Sequence, residues 1–245
     1  MHSVSSRDLE YRHDDTRMLG LLRLPAAPTG AAVLLLHDAF GVSEEMVAAA
    51  DRLAALGSPV LIADLWGERR RPATEAEIGP LIGSLVGDRE RWLARVRAAH
   101  AAAAAQPEFT GRPLVLLGYC FGGSSALEHL RTGADVAGVI SVHGGLDLLA
   151  PDWSAARPTP VLVCTGAEDP MATAAMRTEL TTALTTAAMD WQVHLYGGAR
   201  HAFTSPKAAH SPAPDVVAYD PRAAARAEEA TVRFLREVAA PEPVH

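Results

Sequence analysis

The 245-residue chain reads as an α/β protein: a mostly parallel central sheet flanked by helices on both faces, preceded by an N-terminal antiparallel hairpin. Three observations predict this. Apolar runs such as Ala31-Ala32-Val33-Leu34-Leu35-Leu36 and Leu114-Val115-Leu116-Leu117 show no polar alternation, as strands covered on both faces require. These runs alternate with helix-length segments, the order produced by crossover helices between parallel strands. Ahead of them, residues 8–12 and 18–24 flank the polar turn cluster His13-Asp14-Asp15-Thr16 and pair as a hairpin.

Taken in order, Pro25 and Pro28 end the hairpin, and the 31–36 strand stops at His37-Asp38-Ala39-Phe40-Gly41. Ser43 is placed to cap a helix reaching about Leu56 and ended by Gly57. Residues 60–63 form the next buried strand, closed by Asp64-Leu65-Trp66-Gly67, and Arg69-Arg70-Arg71-Pro72 reads as a solvated turn. The 74–86 segment predicts a helix interrupted at Gly79-Pro80 and Gly83, an apolar piece able to cover a site. Residues 88–105 predict a strong helix whose alanine-rich end reflects propensity alone. Beyond the 114–117 run come a helix to about Leu130, a strand over 136–142 and another over 160–165. A helix over 171–188, a strand over 192–196, a proline-rich stretch from Ser205 to Pro214 and a last helix over 220–238 complete the chain.

At this length, with 49% hydrophobic residues, residues 1–245 fit one domain around one core. The net charge is −7 and arginine supplies nearly all the positive charge, so a nucleic-acid or anionic-membrane partner, which needs a basic face, is not expected. The start, Met1-His2-Ser3-Val4-Ser5-Ser6-Arg7-Asp8, lacks the apolar core of a signal peptide, and no apolar run approaches the roughly 18 residues of a membrane span. A cytoplasmic location is therefore expected. The two cysteines, Cys120 and Cys164, lie in or beside central strands and are expected as free thiols. Nothing distinguishes a monomer from a homodimer.

The chain is organised around Gly118-Tyr119-Cys120-Phe121-Gly122-Gly123. A strand breaks at Gly118, turns at Cys120 and restarts as a helix, the spacing of a nucleophile elbow with cysteine at the tip. Glycines two positions either side leave room for a strained turn, and the sulfur stands at a helix N-terminus, whose dipole favours thiolate. The plain alternative is a small buried apolar cysteine in an ordinary strand-to-helix turn.

Ligands and reacting groups gather outside the carboxyl ends of strands in open sheets of this kind. Those ends carry Asp38, Asp64, Cys120, His143, Asp169 and His201. A thiol nucleophile needs a base in reach, and the base needs a carboxylate to fix its tautomer. The order Cys120, Asp169, His201 is that of the α/β-hydrolase fold. Alone, Asp169 would be a turn residue before Pro170, and His201 a solvated loop histidine. His143, on the strand directly after the elbow helix, reads as a pocket wall or a neighbour of the base. His37, His100, His129 and His194 read as structural. Paired cysteines and H-E-x-x-H are both missing, so no metal is expected. The elbow also predicts an oxyanion hole from the backbone N–H groups of Phe121 and Ala39, each such donor typically worth about 3 to 4 kcal/mol of barrier.

With Asp38-Ala39-Phe40-Gly41 upstream, and Gly166-Ala167-Glu168-Asp169-Pro170 and Arg200-His201-Ala202-Phe203 downstream, the elbow sequence resembles the dienelactone hydrolase (carboxymethylenebutenolidase) family over nearly the whole chain. The resemblance implies an α/β-hydrolase fold and a Cys120-Asp169-His201 triad. It also implies ester or lactone hydrolysis through a thioester acyl-enzyme, without a cofactor. In that family a glutamate before F-G takes the proton of the cysteine; Asp38 stands there, one methylene shorter, and is expected as an auxiliary carboxylate. The family's dienelactone-cleaving members hold the substrate carboxylate with arginines. Here Ala202-Phe203-Thr204-Ser205-Pro206-Lys207 and Ile78-Gly79-Pro80-Leu81 supply none. A neutral ester, lactone or thioester is the expected small-molecule partner, in a pocket walled by Phe40, Trp66, His143 and Phe203. Two other readings stay open: a hydrolase-fold protein that binds a small molecule without turnover, and a thiol redox sensor.

Overall fold

The structure, a computed structural model, describes residues 3–240; Met1 and His2, and 241–245 of the expected 1–245 domain, lie outside the described residues. Eight strands make one sheet in the order β1-β2-β4-β3-β5-β6-β7-β8. The hairpin β1 (Val4–His13) and β2 (Thr16–Pro25) is antiparallel and joins β4 (Val60–Ile62) antiparallel. The remaining strands run parallel: β3 (Ala32–Leu36), β5 (Leu114–Tyr119), β6 (Gly138–Val142), β7 (Val161–Gly166) and β8 (Trp191–Tyr196).

Alternation within the apolar runs splits the core into two layers. Leu34 and Leu36 of β3 and Leu116 of β5 face Trp92, Phe121 and Leu127; Val33, Leu35, Val115 and Leu117 face Met46, Leu53, Ala227 and Phe234. Each fully buried leucine contributes about 1.5–3 kcal/mol, which is why a strand apolar on both sides settles at the centre. The first layer is roofed by α2 (Glu75–Val86), α3 (Arg89–Ala104), α4 (Phe121–Arg131) and α5 (Ala174–Thr186), the second by α1 (Glu44–Ala55) and α6 (Pro221–Ala239). Ser43 caps α1 by accepting from the Met46 N–H at 3.4 Å, and Asp220 caps α6 by accepting from Arg222 and Ala223 N–H at 2.9 Å. No helix among the described residues is long and apolar enough to cross a membrane.

The order reverses between β3 and β5: the chain leaves β3 for β4 on one side, then returns to lay β5 on the other. A crevice must open where connections part in opposite directions, and the loops carrying Asp38 and Cys120 border it.

Three expectations need correction. The 74–86 helix is continuous, because Ala76 and Pro80 lie on its exposed side, where water can satisfy the carbonyl that proline leaves unpaired. None of its described residues lines the cleft over Cys120: Leu85 is fully buried in the first layer, with Leu81 and Ile82 packed against that layer. Arg69 is no solvated turn residue, since its guanidinium donates to the Leu19 and Gly20 carbonyls and binds Asp8, tying the turn to the hairpin. The pattern also hid a buried charge cluster. Glu128 on α4, with no exposed side-chain surface, accepts from Arg131, Arg89 and the Ala150 N–H, fixing the segment after β6 over the helix. Its carboxylate is fully partnered, which is what makes burying it tolerable.

Candidate active site

At the end of β5 the backbone turns through Cys120 with φ +52° and ψ −119°, in the left-handed half of conformational space that side chains avoid. The flanking glycines make this possible. A Cβ on Gly118 would sit 2.0 Å from the Gly122 carbonyl oxygen, and one on Gly122 would sit 2.0 Å from that of Leu36. The backbone of the turn thus presses on both its own helix and β3, and only hydrogen fits.

The turn is pinned from behind. The Cys120 N–H donates to the Val142 carbonyl at 3.0 Å and to His143 Nδ1 at 3.2 Å. Because Nδ1 accepts, the ring proton sits on Nε2, which donates to Thr204 Oγ1 at 2.7 Å. Burial, then the charge of nearby His201, hold the His143 pKa well below the histidine range, so this ring stays neutral. Its backbone is also left-handed, with φ +40°. Sequence reasoning placed His143 in the wall but missed Thr204, which differs in no visible way from other loop threonines.

From Cys120 the thiol faces His201: Sγ and Nε2 are 3.0 Å apart. On the other side of the ring, His201 Nδ1 and Asp169 Oδ2 are 3.0 Å apart. Asp169 is only 2% exposed and its second oxygen accepts the Met171 N–H at 2.8 Å, which fixes the carboxylate. Three loops, after β5, β7 and β8, therefore deliver sulfur, carboxylate and imidazole to one row. Burial disfavours the imidazolium of His201. The charge of Cys120 and the hydrogen bonds to Asp169 and Cys120 outweigh it, raising the pKa to about 10.

Above the row lies a cleft of about 440 Å³, within the size range of small-molecule sites. Cys120, Asp38, Ala39, Phe40 and His143 line it. Neither the Phe121 nor the Ala39 N–H has a hydrogen-bond acceptor among the described residues, leaving both free to donate. Asp38 Oδ1 accepts the Phe40 N–H at 2.8 Å, and no hydrogen bond joins Asp38 to Cys120 among the described residues. Burial raises the Asp38 pKa to about 6, with Glu45 adding to the effect and the Phe40 N–H and Lys207 opposing it. His37 is structural, as expected: its Nε2 accepts the Leu65 N–H at 3.1 Å and its Nδ1 lies 2.6 Å from the Asp38 carbonyl, holding the loop.

Two expected pocket residues are displaced. Trp66 is buried, with its ring stacked on Phe121 at 5.1 Å between centroids and its indole N–H donating to the Ala39 carbonyl. It braces the loop from beneath because a large ring gains more from the first core layer than from a wet rim. Phe203 is fully buried against His143 and Tyr196, at 5.3 Å from each, and supports the wall without reaching the cleft.

Comparison with known proteins agrees with this architecture. The dienelactone hydrolase family model matches residues 18–239. Among solved structures, the protein m3DLH is 32% identical, with a TM-score of 0.87 over 97% of this chain and 99% of its own. A dienelactone-hydrolase-like promiscuous phosphotriesterase from metagenomic libraries is also 32% identical, with a TM-score of 0.89 over 97% of this chain and 100% of its own. The dienelactone hydrolase of Anabaena variabilis, 20% identical with a TM-score of 0.66 over 96% and 100% of the two chains, shares the fold. No curated protein matches. With its elbow, its sheet order and a match spanning residues 18–239, the chain belongs to the dienelactone hydrolase family, whose family and fold support a hydrolase.

Proposed function

We propose that the protein is a cysteine-dependent hydrolase of neutral carboxylic esters, lactones or thioesters, working through a thioester acyl-enzyme. The observation that carries this reading is the unbroken row from Cys120 Sγ through His201 to Asp169, with 3.0 Å at each junction. Cys120 attacks the carbonyl carbon as its thiol proton passes to His201 Nε2; a C–S bond forms, and the π electrons move to oxygen. The Phe121 and Ala39 N–H groups receive that charge at the N-terminus of α4, where the helix dipole adds to them. His201 gives its Nε2 proton to the departing alkoxide as the C–O bond breaks. It then takes a proton from water, whose oxygen attacks the thioester; the sulfur leaves with the bonding pair and receives that proton back from Nε2.

Asp169 keeps the imidazole in the tautomer that presents Nε2 to sulfur. Asp38 is the auxiliary carboxylate, acting on the field of the cleft from within its own loop. A chromogenic nitrophenyl ester should give a burst of one nitrophenol per active site before steady turnover. Acid quenching during the burst should leave the acyl mass on the peptide holding Cys120. Turnover without that adduct, or an adduct on Cys164, contradicts the reading.

A further inference from the structure

The cleft does not end at the sulfur. It continues down the second face of the sheet between α1 and α6, past Ala48 and Ala49 of α1 and Ala224 and Ala227 of α6. From Glu45 at its mouth to Arg52 at its far end is seven helical residues, about 10 Å at 1.5 Å each. Small side chains on both helices leave this channel open.

Its charges are already committed. Lys207 at the mouth, the sole lysine of the sequence, pairs with Glu45 at 3.9 Å and sits 5.5 Å over the Phe40 ring. At the far end Arg52 Nε binds Glu228 at 2.7 Å, bridging the two helices. An anionic arm would have to displace one of these carboxylates, whereas an uncharged arm disturbs neither. The Tyr119 hydroxyl has no hydrogen-bond partner among the described residues, and Tyr119 lines the same channel.

We propose that the α1–α6 channel holds an uncharged, slim aliphatic arm of the substrate, so that medium-chain esters are preferred over acetyl esters and over esters ending in a carboxylate. The inference rests on the hydrolase reading and adds the substrate class to it. The test compares nitrophenyl acetate, nitrophenyl octanoate and an octanoate analogue with a terminal carboxylate, together with octyl and ethyl esters of one small acid to cover the alcohol side. The octanoyl or octyl compound should exceed its short partner in kcat/KM by about tenfold or more, and the carboxylate analogue should fall back to the short-chain level. Ala224→Leu and Ala48→Leu, substitutions by a good helix former at positions that are not fully buried, should erase that chain-length ratio.

A second readout needs no turnover. Octan-2-one should protect Cys120 from iodoacetamide at concentrations where acetone does not, and the protection should be lost in Ala224→Leu. Esters hydrolysed at Cys120 with a chain-length ratio unmoved by both leucine variants would overturn the channel and leave the hydrolase standing. Ketone protection without hydrolysis of any ester would support the channel and overturn the hydrolase. Absence of both protection and chain-length preference would overturn the channel.

Discussion

The carboxyl ends of β5 and β7 each carry a cysteine, and their surroundings have almost nothing in common. Cys120 tops β5 in a left-handed turn at the floor of a cleft, 3.0 Å from an imidazole. Cys164 lies in β7 with no exposed surface, packed in the second core layer, with the Tyr196 hydroxyl 3.6 Å away. Burial pushes the Cys164 thiol up to about 11, with the tyrosine hydrogen bond only partly opposing it. The same side chain is thus a candidate nucleophile on one strand and a small apolar filler on another. What separates them is a glycine-framed turn that lifts one sulfur out of the sheet.

The sharpest way to break that contrast is to remove each sulfur. Cys120→Ala should lower kcat on a nitrophenyl ester by on the order of 10⁴-fold or more, and residual activity near wild type would dissolve the distinction. Asp169→Asn comes next, with a loss of about 10³- to 10⁴-fold at unchanged secondary structure, because the amide would hold the imidazole in the wrong tautomer. A loss confined to KM would assign Asp169 to substrate binding instead.

Asp38 sharpens the electrostatic side of the comparison. Its folded pKa, about 6, lies above the ordinary 3.8, so the folded protein holds this proton more tightly than the unfolded chain does. The stability linked to this group is therefore complete below pH 3.8 and is lost as pH rises through about 6. Asp38→Asn should raise Tm relative to wild type by an amount that grows between pH 4 and pH 7, and a pH-independent difference would refute the shift. Kinetically, a limb in kcat/KM near pH 6 should disappear in the same variant.

The smallest effect belongs to Cys164→Ala, which should cost about 1 to 2 kcal/mol of stability while leaving kcat within about twofold of wild type. In the wild-type protein Cys164 should resist iodoacetamide until denaturant is added, and rapid native-state labelling would show that the β7 end opens.

The sheet, its hairpin and its two helical layers were legible because burial on both faces demands uninterrupted apolar strands, and 31–36 and 114–117 supply them. Cys120, Asp169 and His201 were legible for a different reason: each sits in the segment that follows a strand, and strand ends in such a sheet converge on one edge. Helix interruption at Gly79-Pro80 was misjudged, since local propensity does not say which side of a helix faces water. Trp66 and Phe203 were misplaced for the same kind of reason. Both follow strands, Phe203 in a loop that borders the cleft and Trp66 in one that does not, and only the packed structure shows whether an aromatic ring there turns outward or into the core.

By itself, then, the chain determined its strand order class, its elbow and the identity of the three groups in the row, because glycine spacing and apolar continuity act over a few residues. Tertiary structure alone decided the neutral His143–Thr204 brace, the buried Glu128 cluster and the channel between α1 and α6. Each joins residues far apart in the chain, and the free energy of such contacts exists only once the elements between them have packed.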